Sequence, residues 1–353
     1  MYKKRYFIGF FIMLYILMNI IPWGVNFFWR IRTTNLQNEN KNIINESASN
    51  VSISEKVELE KIKNDGYFTL YDQGIVSTKE EDKLIKVKYL DYLILATACE
   101  VYPDYNKEAI KAQAICCFTY ALNLRLNNEN DDKPILTVDS SKFLGFATTE
   151  QFKQRWGENF DLYYKKFEQC AKDVLGNCIV YEDKPIIAAY HAISTGKTED
   201  SGVVWQKSLD YLKPIDSEGD KLAKDFERKT EILTSDIKSI FEKSDLTKDL
   251  VIPEDFNNLI TDVVKNDSQT VVSAKLATVT FSGQEIRKIF NLPSASFDYS
   301  YDNATQKIIF KNIGYGHCVG LSQNGADFMA RQGKNYEEIL KHYFTGVQLK
   351  KVF

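Results

Sequence analysis

The sequence predicts an α+β fold, with mixed helices and strands in a two-lobed domain that follows a single N-terminal transmembrane helix. Three observations carry this. An uncharged run fills residues 6–29. Helical patterns cover Leu84 to Glu100 and Lys107 to Leu124. Strand-like stretches lie at Asn177 to Ile193, Val271 to Phe281 and Lys307 to Lys311.

The 24 residues from Tyr6 to Trp29 would extend roughly 36 Å as a helix, enough for a hydrocarbon core of about 30 Å. A cleaved signal peptide fits less well. Its apolar region usually has about 7 to 15 residues and ends at a small-residue site, whereas this run ends in Trp23-Gly24-Val25-Asn26-Phe27-Phe28-Trp29. Lys3, Lys4 and Arg5 precede the span and Arg30 and Arg32 follow it, so the positive-inside bias for a cytoplasmic tip at residues 1–5 is weak. Residues 30–56, rich in Asn, Ser, Glu and Lys, have the composition of a flexible linker. As a coil, its 24 residues from Thr33 to Lys56 would separate their ends by about 25 to 30 Å. The folded domain is then expected over residues 57–353.

Within that domain, Val101-Tyr102-Pro103-Asp104-Tyr105-Asn106 separates the first two helices, because proline and polar residues break the pattern. The second helix places Ile110, Ala114, Cys117, Phe118 and Ala121 on one face, with Glu108 in its first turn as the helix dipole prefers. Asn177 to Ile193 predicts two strands joined at Glu182-Asp183-Lys184-Pro185, running into a hydroxyl-rich loop, Ser194 to Asp200. Ser217 to Ser268 is charged and helix-like, interrupted by Pro253, and reads as an added lobe at about residues 207–270. Further strands precede a glycine-rich loop from Gly314 to Gly325. Two helices close the chain, with Gly333 between them as a C-cap.

Of the 353 residues, 26% are charged and 44% hydrophobic, which supports a substantial core, and a net charge of −3 is too small to suggest a nucleic-acid partner. Cys99, Cys116, Cys117, Cys170, Cys178 and Cys318 form no metal-binding pattern. Cys116 and Cys117 are expected as small buried apolar residues, and a Cys170–Cys178 disulfide stays open outside the cytoplasm.

Three segments combine polar side chains with features that let a ligand approach. Glu100 ends an apolar helix among Cys99, Val101 and Tyr102, surroundings that would raise a carboxyl pKa and suit a general acid. A helix-terminal glutamate facing water is the plainer reading. The Ser194 to Asp200 loop is the second segment. The third runs from Gly316 to Ala326, where His317 stands in a glycine loop and Ser322 suits the N-cap of the next helix. With only His191, His317 and His342 in the chain, a zinc site would need most of its histidines.

Taken together, these segments resemble the stage II sporulation protein D family of bacterial cell-wall enzymes. Glu100, Pro103 and Glu108 to Ala114 match its glutamate, proline loop and E-A-x-K-A-Q-A helix. Ser194 to Asp200 with Trp205 match its S/T-G-x-T-E-D loop, and Ser282, Gly283, Ile286 and Arg287 match an S-G-x-x-I-R segment. Gly316 to Ala326 and Ile339 to Gly346 match the late glycine loop and the closing I-L-x-x-Y-x-x-G.

The resemblance implies a membrane-anchored lytic transglycosylase, which cleaves the β-1,4 bond between N-acetylmuramic acid and N-acetylglucosamine and leaves a 1,6-anhydro end. Glu100 would be its catalytic acid and then base. Lys111, Gln113, Ser194, Thr195, Thr198, Glu199, His317, Ser322 and Gln323 would line the sugar groove. It further implies an extracytoplasmic domain at the engulfing membrane of a sporulating cell. A cell-wall amidase and a membrane scaffold would be its partners and peptide-stripped glycan strands its substrate; from this chain's own residues, no cofactor or metal is expected.

The chain departs from the family where Phe118 stands in place of the usual arginine, Cys318 in place of glycine and Asn324 in place of tyrosine. Some relatives bind zinc through His and Cys after the second helix, but Asp132 to Thr149 contains neither. Relatives described as amidase enhancers, together with Phe118, keep open a glycan-binding activator without catalysis.

Overall fold

The structure, a computed structural model, describes residues 66–127 and 133–353, which belong to one compact unit, Asp65–Phe353. The expected tip, span and linker at residues 1–5, 6–29 and 30–56, with the first residues of the expected domain, lie outside the described residues. Among the described residues, no helix is long and apolar enough to cross a membrane.

The first sheet has the order β2-β1-β3 and comprises β1 (Tyr67–Asp72), β2 (Leu84–Lys88) and β3 (Leu136–Val138). Helix α1 (Tyr89–Glu100) starts only where β2 ends, so the stretch from Leu84 is not one helix. Leu84-Ile85-Lys86-Val87-Lys88 alternates apolar and charged residues, and it pairs antiparallel with β1, Tyr67 facing Lys88. A neighbouring strand settles what local sequence leaves ambiguous.

Helix α2 (Lys107–Leu126) is the hub of the fold. It packs against α1, α4 (Phe160–Val174), α8 (Gln323–Arg331), α9 (Tyr336–Tyr343) and β4 (Asn177–Tyr181). The predicted stripe is buried, but so are Ala112, Gln113, Ile115, Cys116, Thr119 and Leu122. A helix enclosed on every side needs few polar residues, and those it carries must find partners inside. Phe118 is fully buried in an aromatic cluster with Phe68, Tyr89 and Phe353.

Between α2 and β4 lie α3 (Thr149–Trp156), opened by a Thr148/Gln151 capping box, and α4. The expected hairpin follows: β4 and β5 (Lys184–Pro185) turn at Glu182 and Asp183, both with positive φ, 49° and 64°. Next come β6 (Tyr190–His191) and the short helix α5 (Ser201–Trp205).

Residues 227–313 form a hydrophobic core of their own, centred on Phe241, Ile286, Phe290, Phe297 and Phe310. The elements are β7 (Glu227–Leu233), α6 (Ile237–Glu242), β8 (Ile260–Lys265), β9 (Val271–Leu276), β10 (Val279–Phe281), α7 (Gly283–Phe290), β11 (Phe297–Asp302) and β12 (Lys307–Ile313). They build two antiparallel sheets, β10-β9-β8 and β11-β12-β7. The added segment therefore starts later, ends later and contains more strand than its charge pattern predicts. In β7 the charges alternate with half-buried positions, so the same composition supports a strand with one wet face.

The chain then returns through β13 (Leu321–Ser322), which pairs parallel with β6, Leu321 facing Tyr190 and Ser322 facing His191. Ile193 and Tyr315 exchange backbone hydrogen bonds, and the Glu199 amide donates to the Cys318 carbonyl over 2.7 Å. Loops 194–200 and 314–322 are thereby stitched side by side. Ser322 caps α8 as expected, accepting from the Gly325 amide over 3.2 Å. Gly333 (φ 89°) ends α8: its amide donates to Ala330 and that of Lys334 to Met329. Helix α9 and β14 (Gln348–Lys351), paired with β4, complete the fold.

Candidate active site

Glu100 is the last residue of α1, partly exposed at the rim of the buried helix pair. The loop after it is held from three sides. The Lys166 ammonium donates to the carbonyls of Pro103 (2.7 Å) and Tyr105 (2.6 Å), Arg331 donates to that of Asp104 (3.1 Å), and the Asn106 amide donates to Asp327 (2.6 Å). A loop with its carbonyls so occupied fixes the direction in which α1 ends.

A ring of polar side chains, joined in part by hydrogen bonds, surrounds the carboxyl. The Tyr190 hydroxyl and the Gln323 amide neighbour Glu100 and favour its ionised form. Gln323 Nε2 also donates to Gln113 Oε1 at 3.3 Å, Gln113 Nε2 to Cys117 Sγ at 3.4 Å, and the Cys117 thiol to the Tyr190 hydroxyl at 3.9 Å. Four elements supply the five residues: α1, α2, β6 and α8. Burial raises the Glu100 pKa above its usual 4.5, and the bonds from Tyr190 and Gln323 oppose the rise. Among the described residues, no second carboxylate contributes to the shift. Burial also holds Tyr190 neutral and pushes the Cys117 thiol up to about 12. The arrangement is a proton donor that becomes a carboxylate with two donors already aimed at it.

His317 lies one contact further out. Its Nδ1 accepts from the Val319 amide at 3.0 Å, and the Tyr190 backbone nearby weakly favours its charged form. Burial pushes His317 down to about 3 and His191 down to about 4, so both imidazoles are neutral. His191 Nδ1 donates to the Val319 carbonyl at 3.1 Å. The backbone of Val319 thus spaces the two rings, whose centroids lie 5.9 Å apart. Gly320 (φ 73°) follows, where an added Cβ would lie 2.2 Å from the Ala189 carbonyl oxygen. Only glycine lets the loop lie this close to β6. Cys318 keeps a left-handed φ of 64° with a side chain attached, a strained backbone that glycine would adopt freely.

The other expected groove residues have partners within the protein. Asp220 is fully buried and accepts from the Ser194 amide (2.9 Å), the Ser194 hydroxyl (2.5 Å) and the Ser322 hydroxyl (2.6 Å). Burial raises its pKa against these bonds. Thr195 donates to the carbonyls of Lys197 and Ser268, and Thr198 accepts from the Ile215 amide at 2.8 Å. Glu199 accepts from Asn266 at 2.8 Å and from the Asp200 amide at 2.8 Å. Lys111 is ion-paired with Glu108 (2.9 Å) and Asp173 (3.0 Å); two residues from Gln113 on a helix, it faces another way. The structure therefore brings Glu100, Gln113 and Gln323 together, sets His317 beside them, and places Lys111 and the Ser194 to Glu199 side chains in the supporting frame.

Sequence reasoning missed Tyr190, Cys117 and Asp220. For Cys117 there was a signal, since it lies four residues after Gln113 on the same helix face. Tyr190 and Asp220 carried none, because a two-residue parallel pairing and a turn inside a charged stretch define them. All six cysteines are free thiols, which closes the Cys170–Cys178 question. Among the described residues, no group of three or more His, Cys, Asp or Glu side chains could hold a metal ion.

Glu100 is thus a partly exposed acid of raised pKa, set among polar side chains from four elements. A family model described as "Stage II sporulation protein" matches residues 77–181, which include Glu100, Gln113 and Cys117. The chain is 30% identical over 261 residues to the stage II sporulation protein D of Bacillus amyloliquefaciens, covering 73% of each. It is 28% identical over 262 residues to that of Bacillus subtilis, again with 73% of each covered. The Bacillus subtilis protein named "Amidase enhancer" is 23% identical over 294 residues, covering 71% of this chain and 39% of that one. The chain belongs to the stage II sporulation protein D family.

Proposed function

We propose that the protein is a peptidoglycan lytic transglycosylase that works in sporulation on peptide-stripped glycan strands, with Glu100 as its catalytic residue. The observation that carries the reading is the Glu100 carboxyl, raised in pKa by burial yet faced by the Tyr190 and Gln323 donors. In the first step Glu100 gives its proton to the glycosidic oxygen as the bond from that oxygen to C1 of N-acetylmuramic acid breaks. In the second the sugar's own C6 hydroxyl bonds to C1, and its proton passes to the Glu100 carboxylate. No outside nucleophile enters, so the second carboxylate of an ordinary glycosidase is not needed. Tyr190 and Gln323 stabilise the carboxylate that exists between the two steps. The setting proposed with it is the outer side of a membrane, anchored by residues 6–29, beside an amidase that removes stem peptides and a scaffold that holds both.

The full-length protein incubated with peptide-free glycan strands should release anhydro-muramyl ends detectable by mass spectrometry. The proposal fails if no such ends appear, or if Glu100→Gln releases them at the wild-type rate. A second reading, a glycan-binding activator of an amidase, draws on the likeness to the protein named "Amidase enhancer". Strand binding without cleavage by the wild type would favour it.

A further inference from the structure

Two large aromatic side chains next to the Glu100 ring face solvent, and no step of the proposed chemistry uses them. Tyr102 is 65% exposed and Trp205 is 40% exposed. Single exposed aromatics are ordinary on protein surfaces, so exposure alone assigns nothing. The difference here is rigidity and position. Tyr102 follows Glu100 by two residues, in the loop that Lys166, Arg331 and Asp327 tie down, and its ring meets Tyr105 with centroids 6.1 Å apart. Val101 before it is extended and buried, which turns Tyr102 outward.

Trp205 ends α5, a helix pinned by its Asp200 cap and by the Ser201 hydroxyl accepting from the Leu209 amide. Its ring meets His317 with centroids 5.4 Å apart. His317 in turn lies beside the Tyr190 backbone, and the Tyr190 side chain neighbours Glu100. A fixed chain of two residues thus connects this second exposed ring to the acid. Pyranose rings present flat faces of C–H bonds that pack on aromatic faces, and an aromatic already held in place loses little entropy on binding.

We propose that Tyr102 and Trp205 are sugar-stacking platforms of the site, each taking the face of one pyranose ring, so that productive binding spans several sugars of a strand. The inference rests on the glycan-cleaving reading. Glu100→Gln serves as the binding parent, so binding is read separately from cleavage. Peptide-free glycan strands and N-acetylglucosamine oligomers are titrated onto the full-length protein and binding is followed by calorimetry. Tyr102→Ala and Trp205→Ala should each weaken binding roughly threefold to tenfold, with the loss growing from short to long oligomers. Tyr102→Phe and Trp205→Tyr, which keep a stacking face, should restore most of it. In the cleaving protein the same alanine changes should raise KM and leave kcat nearly unchanged. Alanine variants that bind long strands as tightly as the parent overturn the inference, as does a loss that the aromatic replacements do not restore. Strand binding with no cleavage by the wild type would overturn the catalytic reading and leave the platforms in place.

Discussion

The Ser322 hydroxyl donates to Asp220 across 2.6 Å, joining residues 102 positions apart, and the same carboxyl takes the amide and hydroxyl of Ser194. Ser322 is the residue before Gln323, so this buried bond sets where the Gln323 amide points. Asp220 is a positioning residue: it touches neither Glu100 nor the space beside it.

Asp220→Ala should therefore act on stability and on alignment together. It leaves the Ser194 amide and hydroxyl without their acceptor in a buried place, at a cost of about 1 to 3 kcal/mol for each group left unpaired, and leaves the Ser322 hydroxyl only the Ala192 carbonyl at 3.4 Å. Urea denaturation should show the loss. Residual strand cleavage at low temperature, where the variant stays folded, should fall further than the fraction unfolded accounts for.

The pH dependence of cleavage should report the donors around Glu100. The proton-donating form is lost as pH rises through the raised pKa, so activity should fall on the alkaline side. The Tyr190 and Gln323 bonds lower that pKa. Tyr190→Phe and Gln323→Leu should thus move the alkaline limb to higher pH while lowering the maximum rate. Profiles from pH 4 to 9 in steps of about half a unit check this; a limb that moves to lower pH contradicts the assigned donors.

Stability should carry the same proton. Glu100 binds its proton more tightly folded than unfolded, so in the window between its ordinary value of 4.5 and its raised folded value the native state holds more protons. The Glu100 contribution to the unfolding free energy then falls as pH rises through that window. Glu100→Gln, always neutral, should flatten this slope and be the more stable protein above the window. Denaturation midpoints of both proteins at a series of pH values measure it through their difference, which cancels the opposing contributions of His191 and His317; a wild type that gains stability relative to Glu100→Gln as pH rises would rule the raised pKa out.

Phe118→Ala should cost about 3 to 5 kcal/mol, as expected for a fully buried aromatic. Its partners Phe68, Tyr89 and Phe353 are not members of the Glu100 ring, so the pH profile of cleavage should keep its shape. At this position of α2 the chain packs a phenylalanine among Phe68, Tyr89 and Phe353.

Six thiols should be alkylated in the unfolded protein without reductant, as read by intact mass, and reductant should leave the melting temperature unchanged. Five of the six are buried, so the folded protein should react slowly and mainly at Cys99. A mass two units lower with fewer labels would show a disulfide after all.

Much of this was legible in the residues. Pro103 and the polar residues around it ended one helix, and Asn106 with Glu108 started the next. Ser322 announced a cap, Gly333 a C-cap, and the apolar surroundings of Glu100 a raised pKa. The errors share one cause. At Leu84 to Lys88 and at Glu227 to Leu233, short charged segments suit a helix face or a strand edge equally well, and strand partners far along the chain made the choice. The hydroxyls of the Ser194 loop read as ligand contacts because their internal acceptors, Asp220 and the carbonyls of Lys197 and Ser268, were invisible from local sequence.

By itself the sequence determined that one acidic side chain ends an apolar helix before a rigid loop, because helix periodicity, capping residues and proline are local physics. Only the tertiary structure decided what surrounds that acid. Tyr190 and Gln323 reach it because β6 and β13 pair in parallel across the whole segment 227–313, and Cys117 and Gln113 close the ring because α2 is buried on every side. Hydrogen bonds between groups 73 and 210 residues apart depend on that packing, and no periodicity in the chain encodes them.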